Sequence, residues 1–388
     1  MKLSKFLFIL SLPLVFIACG GGSNDEPDGP DKPDKPGGSD KVSTAGFDKY
    51  TEANIYSRNV QLSQNIPMQG FSLDSDGNIW YTLVSHGNKE EIHVTKGMPN
   101  KGTAIANASS NDMTLKYFGH GTNTAIEEDG ADRYIWAGCY GSANAKGEYW
   151  TEKLIGRVKY VKGAKVATNE CNDYYYIGDY TDMHPSIDAE HGLLTINYGD
   201  ASQSLYRCFV VYKLEDAKKA PLTTVEITCT DGFRTGKPSS TTKTSVMVRA
   251  HDLTTLTPVA RPKFMKTGYA ATNKYYAWQG FDVNGDRLYY AEGEDNNGLT
   301  GSLHTGTSYA YITVFDMEGK VIEERTQIMA IADKDWTGKM GMSIYGTFES
   351  EGVKVKGDKI YLGFGARGVS DNDTKYYQDI LVYDKPSK

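Results

Sequence analysis

One short pattern recurs five times along the chain and constrains the fold more than any other feature. A polar residue precedes glycine or proline, a strand-like run follows, and a tight turn leads into a second strand-like run. In the clearest copy, Asn284-Gly285-Asp286 separates Phe281–Val283 from Arg287–Tyr290. The Asn-Gly dipeptide favours a hairpin because both central turn positions prefer positive φ. The five glycine or proline anchors are Gly70, Gly121, Pro185, Gly280 and Gly352.

The spacing of these anchors predicts a closed ring. Successive anchors are separated by broadly similar intervals, and joining the two ends of the chain gives a fifth such interval. Sheet units repeated around an axis form β-propellers, which have about four strands and roughly 40–50 residues per blade. We therefore predict an all-β fold, a five-bladed β-propeller. The apolar run at 380–383 is expected to pair with N-terminal residues and close the ring. The alternative is a β-sandwich with coincidental hairpins, which is less favoured because sandwich hairpins need not share the anchor pattern.

Residues 1–18 are predicted to be a lipoprotein signal peptide. Lys2 and Lys5 precede the apolar run Phe6–Ile17, which is too short to span a membrane. Ala18 then places a small residue before Cys19, as in a lipobox. We expect cleavage before Cys19 and its lipidation, with palmitate or similar acyl chains giving a stable anchor. An ordinary signal peptide with a chance cysteine is the alternative.

Residues 19–41 are predicted to form a flexible tether behind the lipidated cysteine. Proline recurs at every third position from Pro27 to Pro36, a period that favours polyproline II structure. The cluster Asn24-Asp25-Glu26 resembles the acidic export signal of surface-exposed lipoproteins in Bacteroidota-type bacteria. We expect an outer-membrane lipoprotein exposed on the cell surface, with the periplasmic face as the alternative.

Residues 42–388 are predicted to be a single propeller domain. The formal net charge of the chain is −7, which argues against nucleic acid as a partner and leaves the lipid anchor as the expected membrane contact. No cofactor is predicted. If the strand-like runs 205–214 and 223–228 are neighbours, Cys208 lies opposite Cys229. A disulfide and two buried free thiols both remain open there.

The polar residues of the repeated pattern are the candidate ligand contacts. If the strand after each anchor is the innermost of its blade, these side chains lie near one mouth of the central channel. Amides and imidazoles suit a neutral sugar polymer because they donate and accept hydrogen bonds without a charged partner. Trp278 adds a stacking face. The predicted ligand-binding residues are Gln69, His120, His184, Trp278, Gln279 and Glu351.

Two alternatives weaken this site prediction. The same polar residues could fix loops through backbone hydrogen bonds and bind nothing. Two imidazoles near a carboxylate could hold a divalent metal, which ranks lower because a third ligand is not assured. Among other tryptophans, Trp80 and Trp136 are expected to pack between strands, whereas Trp150 and Trp336 in predicted loops are better stacking candidates.

Two segments resemble a known propeller family. Leu115–Thr122, followed by Ala125–Glu127 and Tyr134–Trp136, resembles its G-H-G-T…(V/I)-E…Y-I-W signature, and Gln279–Val283 resembles a second part of it. The family includes podophage receptor-binding proteins, teichoic-acid-biosynthesis protein C-like proteins and, more distantly, helveticin J bacteriocins. The resemblance implies a five-bladed propeller that engages cell-surface polymers, but it brings no agreed catalytic set.

Binding of a glycan or another surface polymer is therefore the favoured function. The alternative is a glycan-active hydrolase, which needs two carboxyl groups about 5–9.5 Å apart. Glu127, Glu292 and Glu294 flank predicted inner strands and are candidates for that pair. A secreted bacteriocin-like antimicrobial is a weaker alternative. Paired carboxylates inside the channel mouth would favour the enzyme.

Overall fold

Five β-sheets are arranged in a ring around one axis, which confirms the predicted five-bladed propeller. The structure, a computed structural model, describes residues 46–108, 111–237, 239–266, 268–269, 274–275, 277–294 and 308–386. The predicted signal peptide, the tether and Cys19 lie outside the described residues. Within the described ranges, no helix is both long and apolar enough to cross a membrane.

Blade one is an antiparallel sheet built from consecutive hairpins. Strands β2, β3, β4 and β6 pair in that order from the axis outward, whereas β1 and the short β5 belong to the last blade. The bounds are β1 (Ile55–Gln61), β2 (Gly70–Leu73), β3 (Ile79–Val84), β4 (Glu91–Gly97), β5 (Ala106–Asn107) and β6 (Met113–Lys116).

Blade two carries an excursion between its second and third strands. Strands β7, β8, β11 and β13 pair antiparallel, while β9 and β10 form a separate two-stranded sheet and β12 pairs in parallel with β6. The bounds are β7 (Ala125–Asp129), β8 (Asp132–Cys139), β9 (Ser142–Ala143), β10 (Tyr149–Trp150), β11 (Leu154–Lys159), β12 (Lys165–Ala167) and β13 (Asp173–Tyr176).

Blade three is interrupted by a hairpin that joins another sheet. Strands β14, β15, β16 and β19 form the blade, whereas β17 and β18 pair with each other and β18 extends blade two by pairing in parallel with β13. The bounds are β14 (Thr181–Asp188), β15 (Leu193–Gly199), β16 (Tyr206–Lys213), α1 (Leu214–Lys219), β17 (Leu222–Thr230), α2 (Gly232–Thr235), β18 (Lys243–Asp252) and β19 (Lys263–Met265).

This displaced hairpin corrects the predicted pairing of two cysteines. Cys208 lies in β16 opposite Tyr198, whereas Cys229 lies in β17 opposite Thr244. Helix α1 separates the two strands, so they are not neighbours in a sheet. Both cysteines are buried free thiols, one of the two outcomes that the sequence left open.

Blades four and five follow the simple order of consecutive antiparallel hairpins. In blade four, β22 to β25 pair in sequence, and β20 and β21 form a small separate sheet. The bounds are β20 (Gly268–Tyr269), β21 (Lys274–Tyr275), β22 (Ala277–Asn284), β23 (Arg287–Glu294), β24 (Tyr309–Asp316), β25 (Val321–Gln327), α3 (Lys334–Lys339), β26 (Thr347–Lys356), β27 (Lys359–Arg367) and β28 (Tyr376–Asp384). Short 3₁₀ helices span Glu52–Asn54, Ala201–Gln203, Leu253–Thr255 and Met329–Ala332.

Both ends of the described chain meet in blade five. Strand β28 pairs antiparallel with β1, with Ile55 opposite Leu381 and Val60 opposite Gln378. The sheet order is β26-β27-β28-β1-β5, so an N-terminal strand completes a blade built from C-terminal ones. This pairing confirms the prediction that residues 380–383 close the ring with N-terminal residues.

Large apolar side chains fill the spaces between neighbouring blades. Between blades three and four, Phe264 stacks on Phe315 with ring centroids 3.7 Å apart, and Phe281 meets Phe209 edge-on at 5.0 Å. Such aromatic pairs add to the stabilisation from apolar burial. Trp80 and Trp136 are also buried, as expected, and their indole N–H groups donate to Asp74 and Glu127.

The innermost strands form a closed ring of contacts. Each of β2, β7, β14, β22 and β26 lies at one end of its sheet, and each touches the next around the circle. All five start at the same end of the channel, which is called the mouth below. Since β8 runs antiparallel to β7, the β8–β11 connection returns to the mouth, as do the ends of β15 and β23.

Candidate functional site

A single asparagine plugs the channel just below the mouth. The side chain of Asn123 donates to the carbonyl of Pro185 at 2.8 Å and accepts from the N–H of Phe281 at 2.9 Å. It therefore joins blades two, three and four. A Cβ added to Gly70 would lie 3.1 Å from the backbone nitrogen of Asn123, and one added to Gly280 would lie 3.0 Å from the side-chain Oδ1. The inner strands therefore approach one another closely at the level of Asn123.

Two of the anchor glycines, Gly280 and Gly352, lie at β-bulges that permit this approach. Gly280 and Gly352 have φ values of 129° and 125°, and the register of each strand pair shifts at these positions. A side chain at Gly280 would also meet the Gly352 Cα at 3.3 Å. Glycine is needed because this conformation and spacing exclude a Cβ. The repeated pattern thus marks the positions at which the inner strands approach the axis.

The predicted ligand-binding residues begin the inner strands at the mouth, and all are mostly buried. Gln69, His120, His184, Trp278, Gln279 and Glu351 are 3–7% exposed. Gln69 directly precedes β2, His120 lies in the loop before β7, and the other four lie within β14, β22 and β26. These six side chains are called the floor of the mouth below.

His184 and Trp278 form one side of this floor. The His184 ring lies 4.7 Å from the Trp278 ring, and its Nδ1 hydrogen-bonds to the carbonyl of Thr122 at 3.1 Å. Burial lowers the pKa of His184 to about 3, although that hydrogen bond opposes the shift. The imidazole is therefore neutral at physiological pH. Arg207, at the start of β16, holds its guanidinium 5.1 Å from the centre of the Trp278 ring.

His120 and Trp150 form the opposite side. Their rings are stacked, with centroids 4.0 Å apart and planes 14° from parallel. Trp150 lies in β10 of the blade-two excursion and is partly exposed, so it offers a ring surface at the mouth. Burial lowers the pKa of His120 to about 4, and this imidazole is also neutral. Its Nε2 has no hydrogen-bond partner among the described residues.

Glu152 is a buried acid at the mouth that the sequence analysis missed. It is 1% exposed, its Oε1 accepts the backbone N–H of His120 at 3.2 Å, and its Oε2 has no partner in the described part of the chain. Burial, followed by the charge of Asp182, raises the pKa of Glu152 to about 8. At neutral pH the group is therefore mostly a neutral carboxylic acid.

Two glycines make room for this carboxyl group. A Cβ added to Gly119 would lie 1.4 Å from Glu152 Oε1, and one added to Gly138 would lie 2.6 Å from its Cγ. Gly119 is the first glycine of the G-H-G-T segment. The sequence signals for Glu152 were thus two glycines, Gly119 and Gly138, whose meaning depends on the fold.

The carboxylates proposed for hydrolysis are engaged in ion pairs. Glu127 accepts hydrogen bonds from Arg157 at 2.6 Å, Lys218 at 2.8 Å and the Trp136 indole at 2.8 Å. Burial opposes ionisation of Glu127, but these bonds outweigh it and lower its pKa. Glu292 lies 3.3 Å from Arg325. The Glu294 side chain lies outside the described residues.

Trp336 packs against the core and against Tyr50. It lies in α3, and its ring meets Tyr50 edge-on at 5.0 Å while packing against the core between blades four and five. Trp150 is therefore the better stacking surface of the two loop tryptophans considered from sequence.

Comparison with solved structures supports the fold. The chain is similar to the tail fibre of Staphylococcus aureus phage P68, with 14% identity and a TM-score of 0.52 over 85% of this chain and 52% of the fibre. It thus spans about half the length of that fibre. Weaker likenesses are to a GH43_1 enzyme from Xanthomonas citri (9% identity, TM-score 0.36, 87% and 92% coverage) and an α-L-arabinofuranosidase from Lactobacillus brevis (9%, 0.36, 84% and 93%). Neither a protein-family model nor a curated protein matches the sequence.

Proposed function

We propose that this protein is a cell-surface lipoprotein that binds a glycan or another surface polymer at the mouth of the propeller. The observation that carries the proposal is the partly exposed Trp150 ring stacked on the neutral His120 imidazole, beside a polar floor. An aromatic ring offers a flat apolar face to a sugar, while neutral imidazoles and amides satisfy hydroxyl groups.

Because the floor residues are buried, the proposed binding site has an outer layer that a ligand touches and an inner layer that supports it. Trp150 supplies the outer contact surface and His120 stacks beneath it. His184 and Gln279 are the further polar groups that we assign to the floor. This arrangement suits a polymer lying across the mouth better than a small molecule enclosed deep in the channel, because Asn123 ties blades two, three and four together below the floor.

A glycan array with the soluble domain, residues 42–388, tests the proposal. Trp150→Ala should abolish binding of any polymer that the wild type retains, and His120→Ala combined with His184→Ala should weaken it. Trp336→Ala is the matched control, since it removes an indole away from the site. Thermal melts must show that each variant folds. Unchanged binding by both mouth variants would exclude the mouth as the site.

The proposed location rests on the sequence of residues 1–41 and has its own test. Cys19→Ala should release the protein from the membrane fraction, and protease treatment of intact cells should remove the wild-type protein. A protein that survives such treatment while a known surface marker is lost would lie on the periplasmic face.

Glycan hydrolysis is the second candidate, and Glu152 is the observation that favours it. A carboxyl group with a raised pKa is what a general acid requires, and Asp182 is close enough for its charge to act on Glu152. Polymers that bind should therefore be assayed for release of reducing ends. Cleavage lost in Glu152→Gln would identify an enzyme, whereas binding without cleavage supports the binding protein.

A further inference from the structure

Arg207 is a cation at the mouth, and no carboxylate in the described part of the chain pairs with it. Its Nε donates to the Tyr290 hydroxyl at 3.1 Å and its guanidinium lies over Trp278. Among the described residues, no carboxylate lies within 4.0 Å of it. The other arginines packed in blade interfaces differ in this respect, since Arg157 pairs with Glu127 and Arg325 with Glu292.

The contacts around this guanidinium fix its position and leave part of it available to an anion. The Tyr290 hydroxyl fixes Nε and the indole supports one face, so the two Nη groups remain as donors. His184, its neighbour on the floor, is kept neutral by burial and adds no second charge. The carboxylate of Glu292 is engaged by Arg325 and does not neutralise Arg207. The subsite therefore presents one positive charge in a partly buried setting, where charge pairs are stronger than in water.

We infer that Arg207 binds the carboxylate of an acidic sugar unit, such as a uronic acid, within the polymer. A single planar guanidinium fork matches a single planar carboxylate through two parallel hydrogen bonds. This inference rests on the proposed function and narrows it, because it replaces the neutral polymer expected from sequence with one that carries carboxyl groups. Trp150 would contact the sugar rings and Arg207 would select the acidic unit.

The first test compares acidic polymers with their own reduced forms. Polygalacturonate, alginate and hyaluronan, each with a matched carboxyl-reduced derivative, are titrated against the mature protein at low and at moderate salt. Sulfated and neutral dextrans are included. We expect at least one uronate polymer to bind at least tenfold more tightly than its reduced form, with affinity falling as salt rises.

The variants assign this preference to a residue. Arg207→Gln should remove the preference for the acidic form, and Arg207→Lys should restore only part of it because a lysine lacks the planar fork. Arg249→Gln, an exposed arginine on β18, is the control and should leave the preference intact. Trp150→Ala should weaken acidic and reduced forms alike.

The outcomes separate this inference from the proposed function. Binding of neutral or sulfated polymers alone, or a uronate preference unchanged in Arg207→Gln, would overturn the inference and leave polymer binding standing. Failure of the wild type to bind any polymer would count against both. A melting temperature is a further check. Arg207→Gln should still melt cooperatively, with only a small drop for the lost Tyr290 hydrogen bond and Trp278 contact, so that a lost preference reports on binding.

Discussion

The carboxyl group of Glu152 shows how a buried residue couples the mouth to pH. Its pKa is raised to about 8 in the fold, against an ordinary value of 4.5, so the folded protein holds a proton that the unfolded chain releases. The stability associated with that proton is fully present below pH 4.5. It is lost as pH rises through about 8, with a slope of about 1.4 kcal/mol per pH unit in between.

Replacing Glu152 by Gln should therefore stabilise the protein at pH 7 to 8. The amide keeps a similar shape without the ionisation, so the variant should gain on the wild type as pH rises from 5 to 8. Chemical denaturation at several pH values measures the difference. Parallel stability curves for the two proteins would show that Glu152 ionises normally in the fold.

The two floor histidines have the opposite dependence. Their pKa values are lowered to about 4 for His120 and about 3 for His184, against an ordinary value of 6.5. Between these limits the unfolded chain binds protons that the folded one does not, so stability falls as pH drops from 6.5 towards 4. Burial thus moves the protonation of both imidazoles well below the ordinary pKa of histidine.

The double variant His120→Gln with His184→Gln should lose less stability than the wild type as pH falls from 6.5 towards 4. The wild type should lose on the order of 3 kcal/mol per histidine relative to the variant between pH 7 and pH 4. Melting temperatures over that range provide the measurement. If the double variant loses stability on acidification as steeply as the wild type, other groups account for the acid response.

For single residues, the sequence predicted where the candidate site residues lie better than it predicted what each of them does. The polar residues at the anchors could be found because they recur at a fixed place relative to glycine or proline. Asn123 and Glu152 could not, since each occurs once. Their importance comes from partners in other blades, such as Pro185 and Phe281 for Asn123, that only the closed ring brings near.

Among the elements, the bulges in β14, β22 and β26 shape the mouth. Gly280→Ala should destabilise the protein by about 1–3 kcal/mol, because the φ of 129° is strained for alanine and the new Cβ would crowd Asn123 and Gly352. Gly87→Ala is the matched control, since a Cβ there meets nothing within 4 Å. Equal melting temperatures for the two variants would show that the bulge tolerates a side chain.

The β17–β18 hairpin is the element that the sequence placed wrongly. The alternation of its residues indicates strands, but alternation carries no information about which sheet they join. The decisive contact is a parallel pairing of Tyr175 and Tyr176 in β13 with His251 and Asp252 in β18. Pairings so distant in the chain depend on the assembled blades, whereas hairpins depend on their own turn residues.

For the whole molecule, closure of the ring by β1 is the prediction most open to a direct test. Removing residues 46–61 should leave β28 with an unpaired edge and remove the last inter-blade contacts of Ile55 and Val60. We expect loss of cooperative thermal unfolding and an increase in aggregation. A truncated protein that melts cooperatively at the wild-type temperature would show that β1 is dispensable.

The architecture itself could be predicted from the sequence because each blade carries a copy of the same sequence pattern. Five copies of the anchor pattern indicated blade number, and the apolar run at 380–383 indicated the closing strand. The route of the chain between copies was less accessible. The excursion of blade two that carries Trp150 has no counterpart in the other repeats. The same is true of β12, which pairs with β6 of blade one, and of β18, which pairs with β13 of blade two.

The joining of β1 to β28 also has a mechanical consequence. A pull on the N-terminal side reaches the domain first at Phe47 and Tyr50, which pack against the core between blades four and five, and then at β1. That strand is fastened by more than its ladder to β28. The Asn59 N–H donates to the buried Asp379 carboxylate at 2.7 Å, and Arg58 donates to the carbonyl of Met340 at 2.5 Å. Force on the N-terminal side would thus act on blade five and on the C-terminal end of α3, and not directly on the blades that carry Trp150 and Arg207.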